Sequence, residues 1–487
     1  MIVCSSQKDY EQFLRLNSAL ELYLIRLMGL FSMYKQKGFF RLPWQDKGFG
    51  GSGIHPDDYK EQTEHKAIRR LPFSNEITIP LAQSIGAPAV AIVQKGQQVL
   101  RGEPIARAGG FVSAPIHAPV TGQVIAIDEL VNMPNGKKTP AILIKTSPHS
   151  DQAVRFHTPR NISTMSADEL VQAVQDAGVV GLGGAAFPTH VKMKAPKGKQ
   201  IDTLVINGCE CEPYLTCDHR VMLEYPENMI KGIQLTMITS GATRAIIGVE
   251  DNKMDAVYRI RDVIKELGVD HITCEEVPTR YPQGAEKMLL KSLLDIEVPS
   301  GGIPADIGCA VFNVGTLAQI GELVSEGRGL IERIVTVSGP GVSNPGNYLI
   351  PLGTPLHFVL EKAGVCDDQA MIILGGPMMG MSIATRDIAT TKGITGILVF
   401  PPEQLPKDDL QEMPCIGCRA CLEACPMHLN PSTLGKMADV NLLHEMRDEY
   451  HLMDCFECGC CSNVCPANIP LTQKIRVAKH ALRQKTS

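Results

Sequence analysis

The sequence predicts a multidomain chain of mixed α/β and α+β class, on three observations. The chain has 487 residues, enough for several domains of about one to two hundred residues each. Its patterning changes along its length. Short β-rich runs split by turn residues over 76–146 give way to alternating strand and helix patterns from about 160 to 330, and short strands with Gly/Pro turns return over 331–400. Nine of the sixteen Cys then fall between Cys415 and Cys465. Cysteine concentrated in one short segment reads as metal binding in a reducing compartment, not as a secreted disulfide framework.

Composition sets outer bounds. With 44% hydrophobic and 20% charged residues the chain is globular, and its net charge of −5 speaks against a general nucleic-acid binder. No apolar run of about 18 residues exists, so no membrane span is predicted. Residues 1–50 form an N-terminal extension. Within it Phe13 to Tyr34 is broken by Arg15, Glu21 and Arg26, with Leu14, Leu20, Leu24, Leu27 and Leu30 roughly on one helical face. Two readings stand: a helix lying on a membrane or partner, or a loosely attached extension whose true start is Met28 or Met33. A cleaved signal peptide is not expected, because acidic residues interrupt the segment and no small-residue cleavage site follows.

Residues 35–75, with Gly53-Ile54-His55-Pro56, read as loop-like. Over 51–150 the β runs Ile77–Ile79, Ala89–Val93, Gln123–Ile127 and Ala141–Ile144 define an all-β domain. The stretches Val93–Val99 and Ala114–Val124 resemble the two halves of a barrel-sandwich hybrid, the lipoyl-like fold. Carrier domains of that fold display a modifiable Lys on the connecting hairpin. Here that hairpin is Ala106–Phe111 and holds no Lys, so the fold is expected without the carrier function. Over 151–330 an α/β domain is expected. Ser166-Ala167-Asp168-Glu169 opens a helix carrying Leu170, Val171, Val174 and Ala177. Leu204–Ile206 and Ala245–Val249 are buried strands, and Met254 to Leu267 is a helix. A further β domain occupies 331–400. Pro401, Pro402 and Pro406 mark a linker into the C-terminal domain, 401–487.

That last domain contains a repeat. Cys415-x2-Cys418-x2-Cys421-x3-Cys425-Pro426 recurs forty residues later as Cys455-x2-Cys458-x2-Cys461-x3-Cys465-Pro466. Three thiolates at two-residue gaps wrap one [4Fe–4S] cubane, and the fourth, beyond a three-residue gap, ligates the neighbouring one. Cys415, Cys418, Cys421 and Cys465 are thus expected on one cluster, and Cys455, Cys458, Cys461 and Cys425 on the other. Zinc also uses Cys-x2-Cys pairs, but a repeated four-Cys pattern with Pro after each fourth Cys favours clusters. Cys460 fits no ligand position and reads as a small packed residue.

Gly178–Lys192 is a second feature, rich in Gly at Gly181, Gly183 and Gly184. A GxGxxA match begins at Gly181. It follows a helix and runs into Pro188, whereas a dinucleotide fingerprint needs a strand before and a helix after it. The segment is therefore read as a tight turn or as an anion nest with Lys192 as counter-charge. Asn207, Glu210 and Glu212 follow at the end of a buried strand, where ligands of α/β sheets sit. Asn207 suits a planar ring edge, and the two acids suit ribose hydroxyls or amides.

These residues resemble the flavin- and NADH-binding (51 kDa) subunit of respiratory complex I. There the glycine loop reads RGRGGAGFPTGxKW, followed by N-x-D-E-x-E-P. Lys192, Asn207, Glu210, Glu212 and Pro213 match, with Cys209 in place of the Asp. Tyr281, Gly284 and Glu286 match Y-x-C-G-E-E, and Asn313-Val314-Gly315-Thr316 resembles N-V-E-T. Leu182 and Ala186 depart from the pattern. Residues 331–400 resemble the β-grasp (SLBB) domain of that family. The domain order, with Gly53-Ile54-His55-Pro56 in front and two ferredoxin-like clusters behind, resembles the family of C subunits of Rnf ion-translocating electron-transport complexes across roughly 51–470.

The resemblance implies noncovalent FMN on the Gly-rich loop and the Asn207–Glu212 strand end, with Gly183, Gly184, Lys192 and Asn207 nearest, and Gly181, Glu210 and Asn313 as further cofactor-binding candidates. It implies an NADH site beside the flavin lined by Glu212, Tyr281 and Glu286, and electron passage from NADH through FMN and two [4Fe–4S] clusters to partner subunits, with ferredoxin or flavodoxin beyond them. It also implies peripheral attachment to the cytoplasmic face of a bacterial inner membrane. Ion movement would belong to the membrane partners. Alternative readings are a soluble cobalamin reductase of propanediol-utilising microcompartments, which shares the architecture, and a flavin-free iron–sulfur carrier.

Overall fold

A computed structural model describes residues 52–405 and 411–486. The Phe13 to Tyr34 segment and Pro406 lie outside them. Residues from Ser52 onward form one compact unit.

The first domain is a pair of facing sheets. Four strands in the order Glu76–Pro80, Lys138–Thr146, Gly122–Asn132, Gln98–Val99 form one, and Val90–Ala91, Pro104–Arg107 and Ile116–His117 the other. Alternate side chains of each strand point inward, so Ile77 and Ile79 of Glu-Ile-Thr-Ile-Pro are fully buried, together with Ile105, Ile116, Ile142 and Ile144. The loop after Pro104–Arg107 carries Phe111, which is 77% exposed, at its outer end.

The α/β domain starts with helix α1 (Ala167–Asp176). Its capping box is formed: the Ser166 hydroxyl accepts from the Glu169 N–H, and the Glu169 carboxylate accepts from the Ser166 N–H at 2.8 Å. There follow β1 (Thr203–Asn207), α2 (Cys217–Glu224), α3 (Pro226–Ser240), β2 (Arg244–Glu250), α4 (Met254–Leu267), β3 (Ile272–Val277), α5 (Glu286–Leu294), β4 (Cys309–Asn313) and α6 (Val314–Glu326). The sheet is all-parallel in the order β3-β2-β1-β4. The chain winds one way from β1 to β3 and then crosses to the other side of β1, so the switch point lies between β1 and β4. Helices α3 and α6 touch backbone to backbone. A Cβ on Gly232 would lie 1.9 Å from the Leu317 carbonyl oxygen, and one on Gly321 the same distance from that of Asn228.

The third domain is a six-stranded sheet. Its order is Arg69–Arg70, Gly346–Pro351, Glu332–Ser338, Gly396–Phe400, Met371–Leu374, Met381–Ile383, with helix Leu356–Lys362 packed on it. Its edge strand comes from the leading segment, which therefore differs from the loop expected of it. Arg69 and Arg70 pair in parallel with Tyr348 and Leu349. Further upstream, Ile54 bridges Tyr281, and the Gly53 N–H donates to the Ala424 carbonyl. Few hydrophobic residues mark this stretch, because it is held by backbone hydrogen bonds that a hydropathy pattern does not register.

The C-terminal domain packs short helices around Leu434, Leu443, Met446, Leu452 and Ile475. Its final helix, α7 (Leu471–Thr486), carries the basic residues Lys474, Arg476 and Lys479. They are matched from within the fold. Lys474 pairs with Glu412 and Asp439, and Arg476 and Lys479 both pair with Glu457.

Candidate functional site

The glycine-rich segment leaves α1 through Gly178 in a left-handed conformation (φ +68°), and the Val180–Pro188 bridge closes it into a loop. No strand leads into it, so it is not a dinucleotide turn. The loop lies over the switch point. The Leu182 N–H donates to the Thr316 hydroxyl at 2.8 Å, and a Cβ on Gly183 would contact Asn313 at 3.4 Å. Gly184 sits at φ +107° with open space where a Cβ would stand. Only glycine holds that backbone without strain.

Beneath the loop, Asn207 and Asn313 are the last residues of β1 and β4 and are register partners. Ligands of open α/β sheets bind outside the carboxyl ends of strands at such a switch point. The Asn207 amide donates to the Gly284 carbonyl at 2.7 Å, and its oxygen accepts from the Cys209 N–H. Asn313 caps α6 by accepting from the Thr316 N–H, and donates to Asp218 at 2.6 Å. Lys192 forms an ion pair with Glu286 and lies over the Phe312 ring at 5.6 Å. The resemblance assigns these two to different ligands. The fold makes them one half-exposed pair beside the loop.

Three of the expected site residues make contacts within the protein. Glu210 spends both carboxylate oxygens on the first turn of α2, accepting from the Asp218 and His219 N–H groups at 2.8 and 3.0 Å. Such capping satisfies amides that a helix start leaves unpaired. Glu212 accepts from the Met378 and Met379 N–H groups at 3.0 and 2.8 Å and so clamps the third domain. Burial raises its pKa and those two N–H groups oppose the rise. Tyr281 is 1% exposed, and its hydroxyl donates to the Cys458 carbonyl at 2.7 Å. All three hold other parts of the protein in place. Glutamate–backbone and tyrosine–backbone contacts between distant segments leave no trace in a sequence pattern.

Two residues not singled out from the sequence matter here. Lys60 is buried, and its ammonium donates to the carbonyls of Glu210, Glu212 and Leu215, fixing the strand end. Asp218 is pushed up to about 7, first by burial and then by the neighbouring Glu210 charge. Ligand atoms of Glu210, Cys217 and Asp218 lie within 4.8 Å of one another, but Glu210 and Asp218 already hold the donors named above. Cys209 and Cys217 point to the carbonyls of Gly248 and Thr395, as ordinary core thiols do.

In the C-terminal domain the cysteines sort into two cavities. One, of about 440 Å³, is lined by Cys415, Cys418, Cys421 and Cys465. A tighter one is lined by Cys425, Cys455, Cys458 and Cys461, with Cys460 beside them. Each therefore presents four thiols, a donor set that suits a [4Fe–4S] cubane. Both thiol sets fit a cubane, and the open backbone at Gly184 leaves room for a flavin beside the strand ends. The first cavity opens outward, with Cys415 and Cys418 exposed. The second abuts the α/β and third domains: Tyr281 reaches Cys458, and a Cβ on Gly459 would meet the Met378 carbonyl oxygen at 3.2 Å.

Four family matches run along the chain: the RnfC barrel sandwich hybrid domain at 49–149, the Nuo51 FMN-binding domain at 174–322, the SLBB domain at 334–382 and the 4Fe-4S dicluster domain at 414–469. The C subunit of the proton-translocating ferredoxin:NAD(+) oxidoreductase complex of Clostridium ljungdahlii is 42% identical over 89% of this chain and 93% of its own length. The chain belongs to the family of C subunits of ion-translocating oxidoreductase complexes. Two other relatives are C subunits as well. That of the Na(+)-translocating ferredoxin:NAD(+) oxidoreductase complex of Acetobacterium woodii is 39% identical over 80% of this chain and 87% of its own, and that of the ion-translocating oxidoreductase complex of Rhodobacter capsulatus is 39% identical over 89% and 83%. The architecture of this family thus comprises the two-sheet domain, the parallel sheet with its glycine loop, the β-grasp sheet and the paired cysteine cavities described above.

Proposed function

We propose that this chain is the electron-transferring subunit of a ferredoxin:NAD(+) oxidoreductase complex that couples the transfer to ion translocation. FMN, when bound, supplies the conversion between the two electrons of a hydride and the single electrons that iron–sulfur clusters carry. The Gly181–Gly184 loop cradles it over Asn207 and Asn313, with the unobstructed backbone of Gly184 beside it. The Lys192–Glu286 pair stands at the rim, where the nicotinamide nucleotide enters. Cys455, Cys458, Cys461 and Cys425 hold the cluster nearer this site, and Cys415, Cys418, Cys421 and Cys465 the outer one. The exposure of Cys415 and Cys418 lets a partner protein reach the outer cluster.

The observation that carries this reading is the packing of the inner cysteine loop against the strand-end segment: the Tyr281 hydroxyl donates to the Cys458 carbonyl, and Met378, held by Glu212, lies against Gly459. It supports a short path from the strand end to the inner cluster. Among the described residues no helix is long and apolar enough to cross a membrane. Translocation falls to membrane subunits, which hold this chain peripherally at the cytoplasmic face of a bacterial inner membrane, with ferredoxin or flavodoxin at the far end of the relay.

The test is anaerobic reconstitution with FMN, iron and sulfide, followed by mixing with NADH. Flavin bleaching followed by cluster bleaching is the expected result. Protein that binds both clusters but no FMN, or FMN that NADH does not reduce, overturns the reading.

A further inference from the structure

The glycine loop carries no charge of its own. From Gly178 to Pro188 every residue is uncharged, and the nearest lysine along the chain, Lys192, is paired with Glu286. Positive charge reaches the loop from behind, through the third domain. The Lys392 ammonium donates to the Gly178 carbonyl at 2.7 Å, where the loop begins, and to the Pro115 carbonyl of the first domain at 2.8 Å. The Arg333 guanidinium donates to the Leu182 carbonyl at 2.5 Å and to that of Ile394 at 2.9 Å. Next to Lys392, Gly393 packs against the far end of the loop. A Cβ there would lie 3.2 Å from the Ala186 Cβ and 3.6 Å from the Gly184 carbonyl oxygen. One short segment of the third domain thus underlies the loop at both ends.

The two cations differ in how they are compensated. Arg333 has the Asp218 carboxyl nearby. Lys392 is fully buried, and among the described residues it pairs with no carboxylate; its acceptors are the two carbonyls. Its ionisable neighbour, His117 of the first domain, is neutral, because burial and then the Lys392 charge lower its pKa to about 3. Burial pulls Lys392 itself down to about 7. An ammonium taken out of water without a counter-charge is costly to hold, and in a low-dielectric interior its field is weakly screened. An anion that settles on the loop offsets that cost.

We propose that Lys392 is a specificity-determining residue of the flavin site: its uncompensated ammonium, bonded to the start of the glycine loop, sets the loop to hold an anionic phosphate, so that the loop selects FMN over the same flavin without a phosphate. Two functions meet in one side chain. Its hydrogen bonds join the loop to the first domain and fix where the loop begins. Its charge stands behind the backbone, so it attracts the phosphate without filling the open space at Gly184. The loop can therefore be built of small uncharged residues and still favour an anion. The inference rests on the glycine loop binding FMN, as proposed above.

The experiment is equilibrium dialysis of FMN and of riboflavin against the reconstituted full-length protein at pH 6, below the value of about 7 to which burial lowers Lys392. Riboflavin has the ring and the ribityl chain and lacks the phosphate, so the ratio of the two dissociation constants isolates the phosphate. Wild type should prefer FMN. Lys392→Met keeps the length and apolar bulk of the side chain and removes the charge, and Lys392→Gln removes the charge but keeps a donor. Each should cut the preference for FMN about tenfold, the equivalent of roughly 1.4 kcal/mol, with riboflavin affinity much less affected. A purely structural pin would weaken both flavins alike and leave the ratio where it was. That result, unchanged affinities in the variants, variants that no longer fold, or wild type that binds the two flavins equally each overturn the proposal. Wild type that binds neither flavin would instead sink the reading of the loop as a flavin site.

Discussion

The Tyr281 hydroxyl donates to the Cys458 carbonyl at 2.7 Å across two domains. Tyr281 also bridges Ile54 through its backbone, and Ile54, Tyr281, Ala424 and Cys460 share one small apolar cluster. The contact thus ties the segment after the strand-end site to the inner cysteine loop. Tyr281→Phe removes the hydrogen bond and keeps the ring. It should lower stability by about 1 kcal/mol, measured by denaturant unfolding. In rapid mixing with NADH it should slow cluster reduction while flavin reduction keeps its rate. Equal cluster rates in both proteins would mean that electrons leave by another route.

Gly184 tests the flavin cradle. Its φ of +107° and the open space beyond its Cα let a ligand approach the backbone. Gly184→Asp sets a carboxylate against the FMN phosphate and should weaken FMN retention at least about tenfold, the equivalent of roughly 1.4 kcal/mol. Iron content should not change, since the cysteine cavities are remote in sequence and separately packed. Wild-type flavin content in the variant would remove the loop from the site.

Asp218 makes stability depend on pH. Its carboxyl is raised from 3.8 to about 7 in the folded chain, so folding takes up a proton between those values. Stability from this group is full below the unfolded pKa and is lost as pH rises towards about 7. Asp218→Asn keeps an oxygen for the Asn313 amide and never ionises. The variant should be more stable than wild type at pH 8, by on the order of 2 kcal/mol, and the gap should narrow at pH 5. Denaturant midpoints at the two pH values decide it. A gap that widens at pH 5 would show that the aspartate is held ionised.

How far the sequence disclosed this architecture depended on the kind of signal each element carries. Helix α4 is legible to the residue, because its amphipathic period runs unbroken from Met254 to Leu267. The capping box at Ser166 and Glu169 is legible because it is local. The parallel strands β1 and β2 are legible as short apolar runs, but their order is not, since pairing follows from packing across long separations. That order is what puts Asn207 opposite Asn313 and turns two isolated asparagines into one site. Glu210, Glu212 and Tyr281 stand out by motif, yet their partners lie at α2, in the third domain and in a cysteine loop. Motif spacing marks which residues matter without saying what they hold. Lys60 escapes notice for the converse reason: a lysine in a loop looks solvated until three carbonyls close around it.

The crossing of the cysteine motifs gives the sharpest test. Each fourth cysteine stands a helical turn beyond its own loop, so Cys425 lines the cavity of Cys455, Cys458 and Cys461, and Cys465 that of Cys415, Cys418 and Cys421. Single substitutions alone do not settle which thiol serves which cluster, because Cys425→Ala should cost about half the iron under either arrangement of two four-cysteine clusters. Pairs do settle it. If Cys425 and Cys455 serve one cluster, Cys425→Ala with Cys455→Ala should lose no more iron than either alone, and the first-loop EPR signal should persist. Cys425→Ala with Cys415→Ala should then lose both clusters. Each motif binding its own cluster predicts the reverse: the Cys425/Cys415 pair would keep half the iron and the Cys425/Cys455 pair none. Because the two arrangements exchange the outcomes of the same two proteins, iron, sulfide and EPR measured on both leave one of them standing.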